Sequence, residues 1–463
     1  MQRKLFPPEA GLDIRYLRFQ KMKLGQLHSI LPIKELAAKL PEPKNKGSKP
    51  WFDNEAKIAL QFLKPYEGCS DEKLLSRLNT DWALQFFCGL NLSDNLSDKK
   101  SVKDKDLIWK TRRFVADHLD MNVFQEILIT NWKADLEDTK TGLSDATCYE
   151  SYIKYPTDVK LLWDCAEWLH RQIKYWYKHL GVKRPRNKFT KHQKKQISYN
   201  KQKRKTYKIR RSRVRLLLLL CDKMLFQLDE LFALAATQLD SQERITLLDE
   251  KSWKCYLTIG KIYVQQRFMY DNPGTSVKNR IVSLYKPYLR PIVRGKENKR
   301  VEFGAKLNTW QVDGLNFIEY FSFNAFHEGN RLKNGIAFHH RHFGKLRRIG
   351  ADNIYMTNAN RSSCKKLNIA TNFPPKGRPK ADPVIRKQES LARQEIGKAR
   401  ATVLEGSYGN DKNHYGLRKI KARNEVTEKA WIFFGMMTAN AVKVAKRKGK
   451  TQARAPSNIQ KAA

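Results

Sequence analysis

Val301-Glu-Phe-Gly-Ala-Lys-Leu-Asn-Thr-Trp-Gln-Val-Asp-Gly-Leu-Asn-Phe-Ile-Glu-Tyr-Phe-Ser-Phe323 is the stretch on which the fold turns. Two β-rich runs, Val301 to Leu307 and Leu315 to Phe323, flank Asp313-Gly314, a dipeptide that suits a tight hairpin turn. Asp313 is therefore read as a turn residue and not as a catalytic acid. Upstream, Leu143 to Tyr149 reads as a short strand with Asp145 inside it. Downstream, a helix over Glu328 to Phe343 precedes Arg348 to Tyr355, a strand ending in Asp352. Pro374, Pro375, Gly377 and Pro379 mark a loop, and a helical pattern resumes from about Pro383 through Glu405 to Lys448.

Between the first strand and the hairpin lies a helical excursion. Tyr155-Pro-Thr-Asp158 opens a long helix in which Leu161, Leu162, Cys165, Trp168, Leu169, Ile173, Trp176 and Leu180 recur at helical spacing, and Gly181 suits its C-terminal cap. Residues 183 to 215 then hold 16 Lys and Arg and no acid, with Phe189, Tyr199 and Tyr207 interleaved. A run this dense and single-signed suits contact with a polyanion, with ordering on binding. Helices at about 212–238 and 242–268 follow. Ahead of the strands stand an N-terminal segment with a linker (1–50, the linker at Pro41 to Pro50) and a helical region (51–125). In the latter Ser70 suits an N-cap, followed by Leu74, Leu75, Leu78 and Trp82. Residues 441–463 are expected to form a basic, disordered tail.

With the excursion removed, a β-β-β-α-β-α series remains. The expected fold is α/β: a ribonuclease-H-like mixed sheet (140–158 and 270–440), a large helical insertion (159–269), and an all-α N-terminal domain.

The chain has 463 residues, with 90 Lys and Arg against 46 Asp and Glu, a formal charge of +44. Such self-repulsion is relieved by a polyanion, which makes nucleic acid the leading partner class. No run approaches the roughly 20 apolar residues that span a bilayer; Leu216 to Cys221 is cut off by Asp222 and Lys223. The N-terminus lacks the apolar core of a signal peptide. The expectation is a cytoplasmic protein without membrane contact. Seven cysteines show no CxxC spacing, which indicates reduced thiols and neither a zinc site nor a disulfide framework. His339, His340 and His342 cluster beside Arg341 without a nearby Cys or carboxylate, a pattern read as a helix facing nucleic acid.

In Glu405-Gly-Ser-Tyr-Gly-Asn-Asp-Lys412 an acid and a lysine stand seven positions apart, on one helical face and about 10 Å apart along the axis. With Asp145 and Asp352 on neighbouring strands, Glu405 would complete three convergent carboxylates able to hold two divalent ions. Hard oxygen donors favour Mg²⁺ or Mn²⁺.

Four blocks make the chain resemble the bacterial DDE transposases of cut-and-paste insertion sequences. They are Phe62 to Tyr66 with Ser70 to Leu74 and Trp82 to Gly89; Asp145-Ala-Thr147 with Tyr155 to Asp158; Arg280 to Ser283 through Arg290 to Lys296 and Glu302 to Lys306; and Ala351 to Tyr355, Asn360-Arg361, Gly377 to Pro379, and Glu405-Gly406 with Gly409, Lys412 and Tyr415 to Leu417. The resemblance implies that Asp145, Asp352 and Glu405 are the DDE acids, holding two Mg²⁺ or Mn²⁺. It implies an enzyme that binds the terminal inverted repeats of its element as a homodimer, cleaves the DNA ends, and joins the 3′-hydroxyl to target DNA. Lys412 matches the lysine of the family's Tyr-Arg-Glu-Lys signature. Two positions depart from it: Ala401 stands where the arginine is expected, with Arg400 one place away, and Lys398 stands at the tyrosine position. Asn353 also stands where a lysine is common. The metal site thus reads as complete and the grip on the strand end as altered. Candidate DNA contacts are Lys412, Arg400, Arg361, Asn360, Arg290, Arg294, Lys296 and Lys306, with Arg204, Lys205, Arg210 and Arg211 from the basic run. The competing expectation is a DNA-binding protein of the same origin that has lost catalysis.

Overall fold

In the computed structural model, which describes residues 8–42, 52–90, 104–238, 249–293, 301–377 and 382–454, the chain reverses at Asp313 and Gly314 with φ of 46° and 74°. These left-handed conformations are what a two-residue hairpin turn demands. Asp313 accepts from Arg447 and from the Glu137 backbone N–H, so its carboxylate serves the turn.

Six strands form the sheet: β1 (Thr141–Glu150), β2 (Pro291–Val293), β3 (Val301–Val312), β4 (Leu315–Ser322), β5 (Arg348–Ala351) and β6 (Ala370–Thr371). Their order is β4-β3-β1-β5-β6, and β2 pairs with the amino-terminal end of β3. The β3–β4 pairing is antiparallel, whereas β1–β5 and β5–β6 are parallel, so the sheet is mixed. Ser144 pairs with Ala351 across β1 and β5. The next residues are Asp145, within β1, and Asp352, just past the end of β5, so the register sets these two acids side by side. Trp310 of β3 is fully buried. It lies so close to two glycines that a Cβ on Gly142 would stand 2.6 Å, and one on Gly335 2.3 Å, from its ring. Only glycine allows that approach.

The chain divides into two compact units: Met1–Tyr152 with Ala305–Ser322 and Phe326–Ala463, and Ile153–Gly304 with Phe323–Ala325. In the first, helices begin earlier than expected: α1 (Pro8–Lys21), α2 (Lys23–Ser29) and α3 (Ile33–Ala37) occupy much of the stretch read as an N-terminal segment. Phe19, Leu27 and Leu36 are buried there, which is the apolar support that orders it. The expected linker, from residue 43 onward, lies outside the described residues. There follow α4 (Asn54–Glu67), α5 (Asp71–Thr80), α6 (Trp82–Phe87), α7 (Leu107–Asp117) and α8 (Met121–Trp132). Ser70 caps α5, accepting from the Lys73 N–H at 3.2 Å.

In the second unit α9 (Asp158–His179), α10 (Phe189–Lys201), α11 (Tyr207–Gln238) and α12 (Glu250–Asp271) share an apolar core that includes Leu162, Leu169, Leu217, Met224 and Ile259. The basic run 183–215 is helical in α10 and the start of α11, where ordering on binding was expected. Its few apolar side chains anchor it: Phe189 stacks on His170 and Trp163 with ring centroids 3.9 and 5.3 Å away. Arg213 is buried and donates to Gln196 and to the His192 carbonyl. Helix α12 begins at Glu250, where Asp249 caps it by accepting from the Ser252 N–H, and the start expected near 242 lies outside the described residues.

The remaining helices belong to the first unit: α13 (Leu332–Phe343), α14 (Asn358–Lys366), α15 (Pro383–Ala399), α16 (Glu405–His414) and α17 (Glu425–Arg454). Helix α17 packs on α4 and α7, and Phe434 meets Phe62 edge-to-face at 5.2 Å. The stretch from 441, expected to be a disordered tail, is helical as far as Arg454, because the buried face of α17 continues through Ala441, Val444 and Ala445. Among the described residues no helix is long and apolar enough to cross a membrane.

Candidate active site

Asp145, Asp352 and Glu405 come together through one side chain, Arg400. Its guanidinium lies 3.1 Å from Asp145 Oδ2, 3.5 Å from Asp352 Oδ1 and 3.2 Å from Glu405 Oε1. Each acid arrives by a different device. Asp145 sits within β1; its Oδ1 accepts from the Ala146 N–H at 2.7 Å, and its own carbonyl accepts from Thr309 and Tyr408. Burial pushes the Asp145 carboxyl above its ordinary range, against the pull of Arg400. Asp352 leaves β5 at the start of the short turn Asn353–Tyr355, and its side chain caps nothing. The strand end is held from behind by Asn372, whose amide donates to the Ala351 carbonyl and accepts from the Ala351 N–H.

Glu405 is placed by an irregularity in its own helix. Between α15 and α16 the chain makes a π turn, Arg400–Leu404, and the Glu405 N–H donates to the Arg400 carbonyl in the i→i+5 pattern. A π turn inserts one residue into a helical turn and shifts the facing of what precedes it. Arg400, five residues before Glu405, thereby reaches the acid that an arginine four residues before would face in a regular helix. Ala401 points to solvent. Arg400 thus faces Glu405 across the π turn, with Ala401 at the position four residues before that acid and Lys398 at the position seven before it.

Helix α16 docks on the sheet through polar groups. Ser407 Oγ accepts from Asn316 at 2.8 Å and from Gln311 at 3.2 Å. Tyr408 meets Thr309 and the Asp145 carbonyl. Asp411 accepts from the Tyr149 hydroxyl at 3.0 Å and from Asn316 at 3.4 Å. Burial pushes the Asp411 carboxyl up to about 6, and its Oδ1 has no hydrogen-bond partner. The outer face carries Glu405, Gly406 and Gly409, all exposed, and a Cβ at either glycine would meet open space. Lys412 lies two turns on, its ammonium 5.7 Å from the Tyr149 ring centroid.

The other candidate residues are placed as follows. Asn360 is buried, and its amide donates to the Gly329 and Tyr355 carbonyls, so it serves the fold where a DNA contact was expected. Arg361 donates to the Pro374 and Met356 carbonyls. Lys306 pairs with Glu328 at 2.6 Å. Arg290 donates to the Pro287 and Leu289 carbonyls. Arg204, Lys205 and Arg210 are exposed, whereas Arg211 packs over Tyr270. Arg294 and Lys296 lie outside the described residues. Against expectation, His339 faces the core: it accepts from Trp310 Nε1 at 3.1 Å, and burial lowers it to about 4. The positioning residues Asn372, Ser407, Tyr408 and Asp411 were missed because they are polar residues in polar surroundings, which no apolar period marks.

Among the described residues no group of three or more His, Cys, Asp or Glu side chains stands in metal-holding geometry. The three acids gather around the guanidinium at 3.1 to 3.5 Å, whereas Mg²⁺ or Ca²⁺ takes oxygens at about 2.0–2.6 Å. As a donor set, three carboxylates already converging on one cation suit a hard divalent ion.

Two family models match the chain: Transposase DDE domain over residues 349–440 and Transposase domain (DUF772) over residues 14–112. The first spans Asp352, Arg400, Glu405 and Lys412; Asp145 lies outside both. Comparison with curated proteins and with solved structures gives no match. Together the two transposase matches support a DDE-type insertion-sequence transposase.

Proposed function

We propose that the chain is an active transposase that binds the terminal inverted repeats of its insertion sequence, cleaves DNA there, and joins the freed 3′-hydroxyl to target DNA. Asp145, Asp352 and Glu405 are its catalytic acids. The observation that carries this reading is the shared guanidinium: acids from β1, β5 and α16, as many as 260 positions apart in the chain, meet at Arg400. The strand order β4-β3-β1-β5-β6, with one acid in β1, one just past its parallel neighbour β5 and a third on a covering helix, supports a ribonuclease-H-like catalytic core.

The three carboxylates would hold two Mg²⁺ or Mn²⁺, which supply activation of the attacking oxygen and stabilisation of the leaving one. The chain's own residues prepare the place. Arg400 offsets the mutual repulsion of the acids in the metal-free protein. The hydrogen bonds to the Asp145 carbonyl and the Asn372 clasp fix where the two strand acids point. Gly406 and Gly409 leave the outer face of α16 open to a DNA backbone, and Lys412 offers an ammonium to a phosphate beside it. Exposed Arg204, Lys205 and Arg210 would also take DNA phosphates, in keeping with the charge of +44. The helices of 51–125 would recognise the element end, and two copies would act together on paired ends in the nucleoid of a bacterial cytoplasm.

Incubating the protein with a supercoiled plasmid that carries the element ends, in Mg²⁺, tests this. The wild type should release the ends, while Asp352→Ala should bind but not cleave; cleavage by Asp352→Ala would overturn the site. A second reading, a DNA-binding protein without catalysis, is favoured by the place Arg400 takes between the acids. A wild type that binds the ends yet cleaves in neither Mg²⁺ nor Mn²⁺ would select it.

A further inference from the structure

A cavity of about 980 Å³ opens between α4, α5 and α7 on one side and the start of α17 with the loop before it on the other. Seven of its lining residues are basic and three acidic. Lys64 and Arg112 are bound to Asp71, and Lys419 to Glu150. Lys105, Arg418, Lys421 and Arg423 have no ion pair among the described residues and are exposed. The loop that carries the last three is not slack. Ile420 pairs with the end of β1, donating to the Glu150 carbonyl and accepting from the Tyr152 N–H, both at 2.8 Å. Leu417, Ile420 and Ala422 are buried, so the extended backbone turns its basic side chains outward. It follows directly on α16, which carries Glu405 and Lys412.

Aromatic rings complete the wall. Trp431 is fixed, with Arg112 over its face at 4.9 Å and its Nε1 donating to the Gly416 carbonyl. Trp109, on the first turn of α7, is 44% exposed and has no ring or cation partner among the described residues. A large flat apolar side chain left half in water beside unpaired cations is the composition that takes unpaired nucleotides: phosphates on the cations, a base on the ring. The size agrees. The cavity matches the upper range of small-ligand pockets, about 300–1,000 Å³.

We propose that this cleft holds a short unpaired DNA strand next to the cleaved end, with a base stacked on Trp109 and phosphates on Arg418, Lys421 and Arg423. The inference rests on the transposase reading for its partner, DNA. Full-length protein is titrated, by fluorescence anisotropy, into a labelled blunt duplex and into the same duplex with a short 3′ oligothymidylate tail. The wild type should bind the tailed duplex about tenfold tighter, the scale of one base–aromatic stack. Trp109→Ala should remove that preference, and Trp109→Phe should keep most of it. Equal binding of the two duplexes by the wild type, or an unchanged preference in Trp109→Ala, overturns the cleft while leaving the transposase reading intact. Failure to bind either duplex overturns both.

Discussion

Helix α9 and helix α16 are both held face-on against a neighbour, by opposite means. Along α9, Val159, Leu162, Cys165, Leu169, Ile173 and Trp176 are buried in one apolar seam against α11. Along α16 the buried face is Ser407, Tyr408 and Asp411, each fastened by hydrogen bonds to the sheet. Burial of apolar area is strong and indifferent to small shifts, since it scales with area and has no direction. A hydrogen-bonded seam is weaker in net terms but directional, and leaves a costly orphan when one partner is removed. The seam that need only hold is apolar; the seam that must aim a carboxylate is polar.

The sharpest way to break this comparison is to cut each seam. Leu162→Ala, at a fully buried position of α9, should cost about 2–5 kcal/mol in urea unfolding. Cleavage per folded molecule should stay as it was, because nothing in that seam aims a catalytic group. A proportionate fall in the specific activity of the folded fraction would show that the apolar seam also positions chemistry.

Asp411 gives the next effect, with a sign opposite to that of most core substitutions. Its folded-state carboxyl is raised to about 6 from 3.8 by burial, with Lys443, Tyr149, Asn316 and Lys412 pulling the other way. Between those values the native state binds more protons than the unfolded chain, so stability falls as pH rises through the window. Asp411→Asn should therefore be more stable than the wild type above pH 6, by on the order of 3 kcal/mol less what the partly uncompensated Lys443 takes back. Below about pH 4 the gain should vanish. Chemical unfolding across that range measures it, and parallel pH profiles of the two proteins would remove Asp411 as the source. Smaller again is Ser407→Ala. It leaves Asn316 and Gln311 short of an acceptor, at about 1 kcal/mol. Because Ser407 stands two residues from Glu405, cleavage should fall more than DNA binding does; equal losses would make the polar seam a mere fastener.

The same contrast decides what could be read in the chain. The apolar period of α9, its cap at Gly181 with φ of 65°, the Asp313-Gly314 turn and the strand leading to Asp352 are all visible in the sequence, because each has a local signature. The side-by-side placing of Asp145 and Asp352 needs only the register of two strands. What hid was directional or irregular. Asp411 in Asn410-Asp-Lys412 looks like a solvated charge, and His339 beside Arg341 looks like a surface residue until Trp310 is seen to cover it. Asn360 reads as a ligand contact but closes two backbone carbonyls. The π turn leaves no mark in composition, so the pairing of Arg400 with Glu405 five residues on was not legible from helical spacing.

That π turn carries the finest test. If Arg400 stands where a divalent ion would draw the three acids inward, the guanidinium and the ion compete for the same oxygens. Removing the side chain as Arg400→Ala leaves three carboxylates facing one another, which lowers the stability of the metal-free protein and raises its affinity for the ion. The pairs are partly exposed, with Asp352 and Glu405 side chains 45% and 54% accessible, so each exchange is worth no more than about 1 kcal/mol. The expected result is a severalfold lower Mg²⁺ concentration for half-maximal thermal stabilisation, read from melting curves and independent of any cleavage. An unchanged Mg²⁺ dependence would mean that the arginine is not a competitor, and that its role is to hold Glu405 in the register the π turn provides. Arg400→Lys separates the two. A lysine keeps the charge but cannot fork to three carboxylates at once, so competition should persist while the aim of Glu405 is lost.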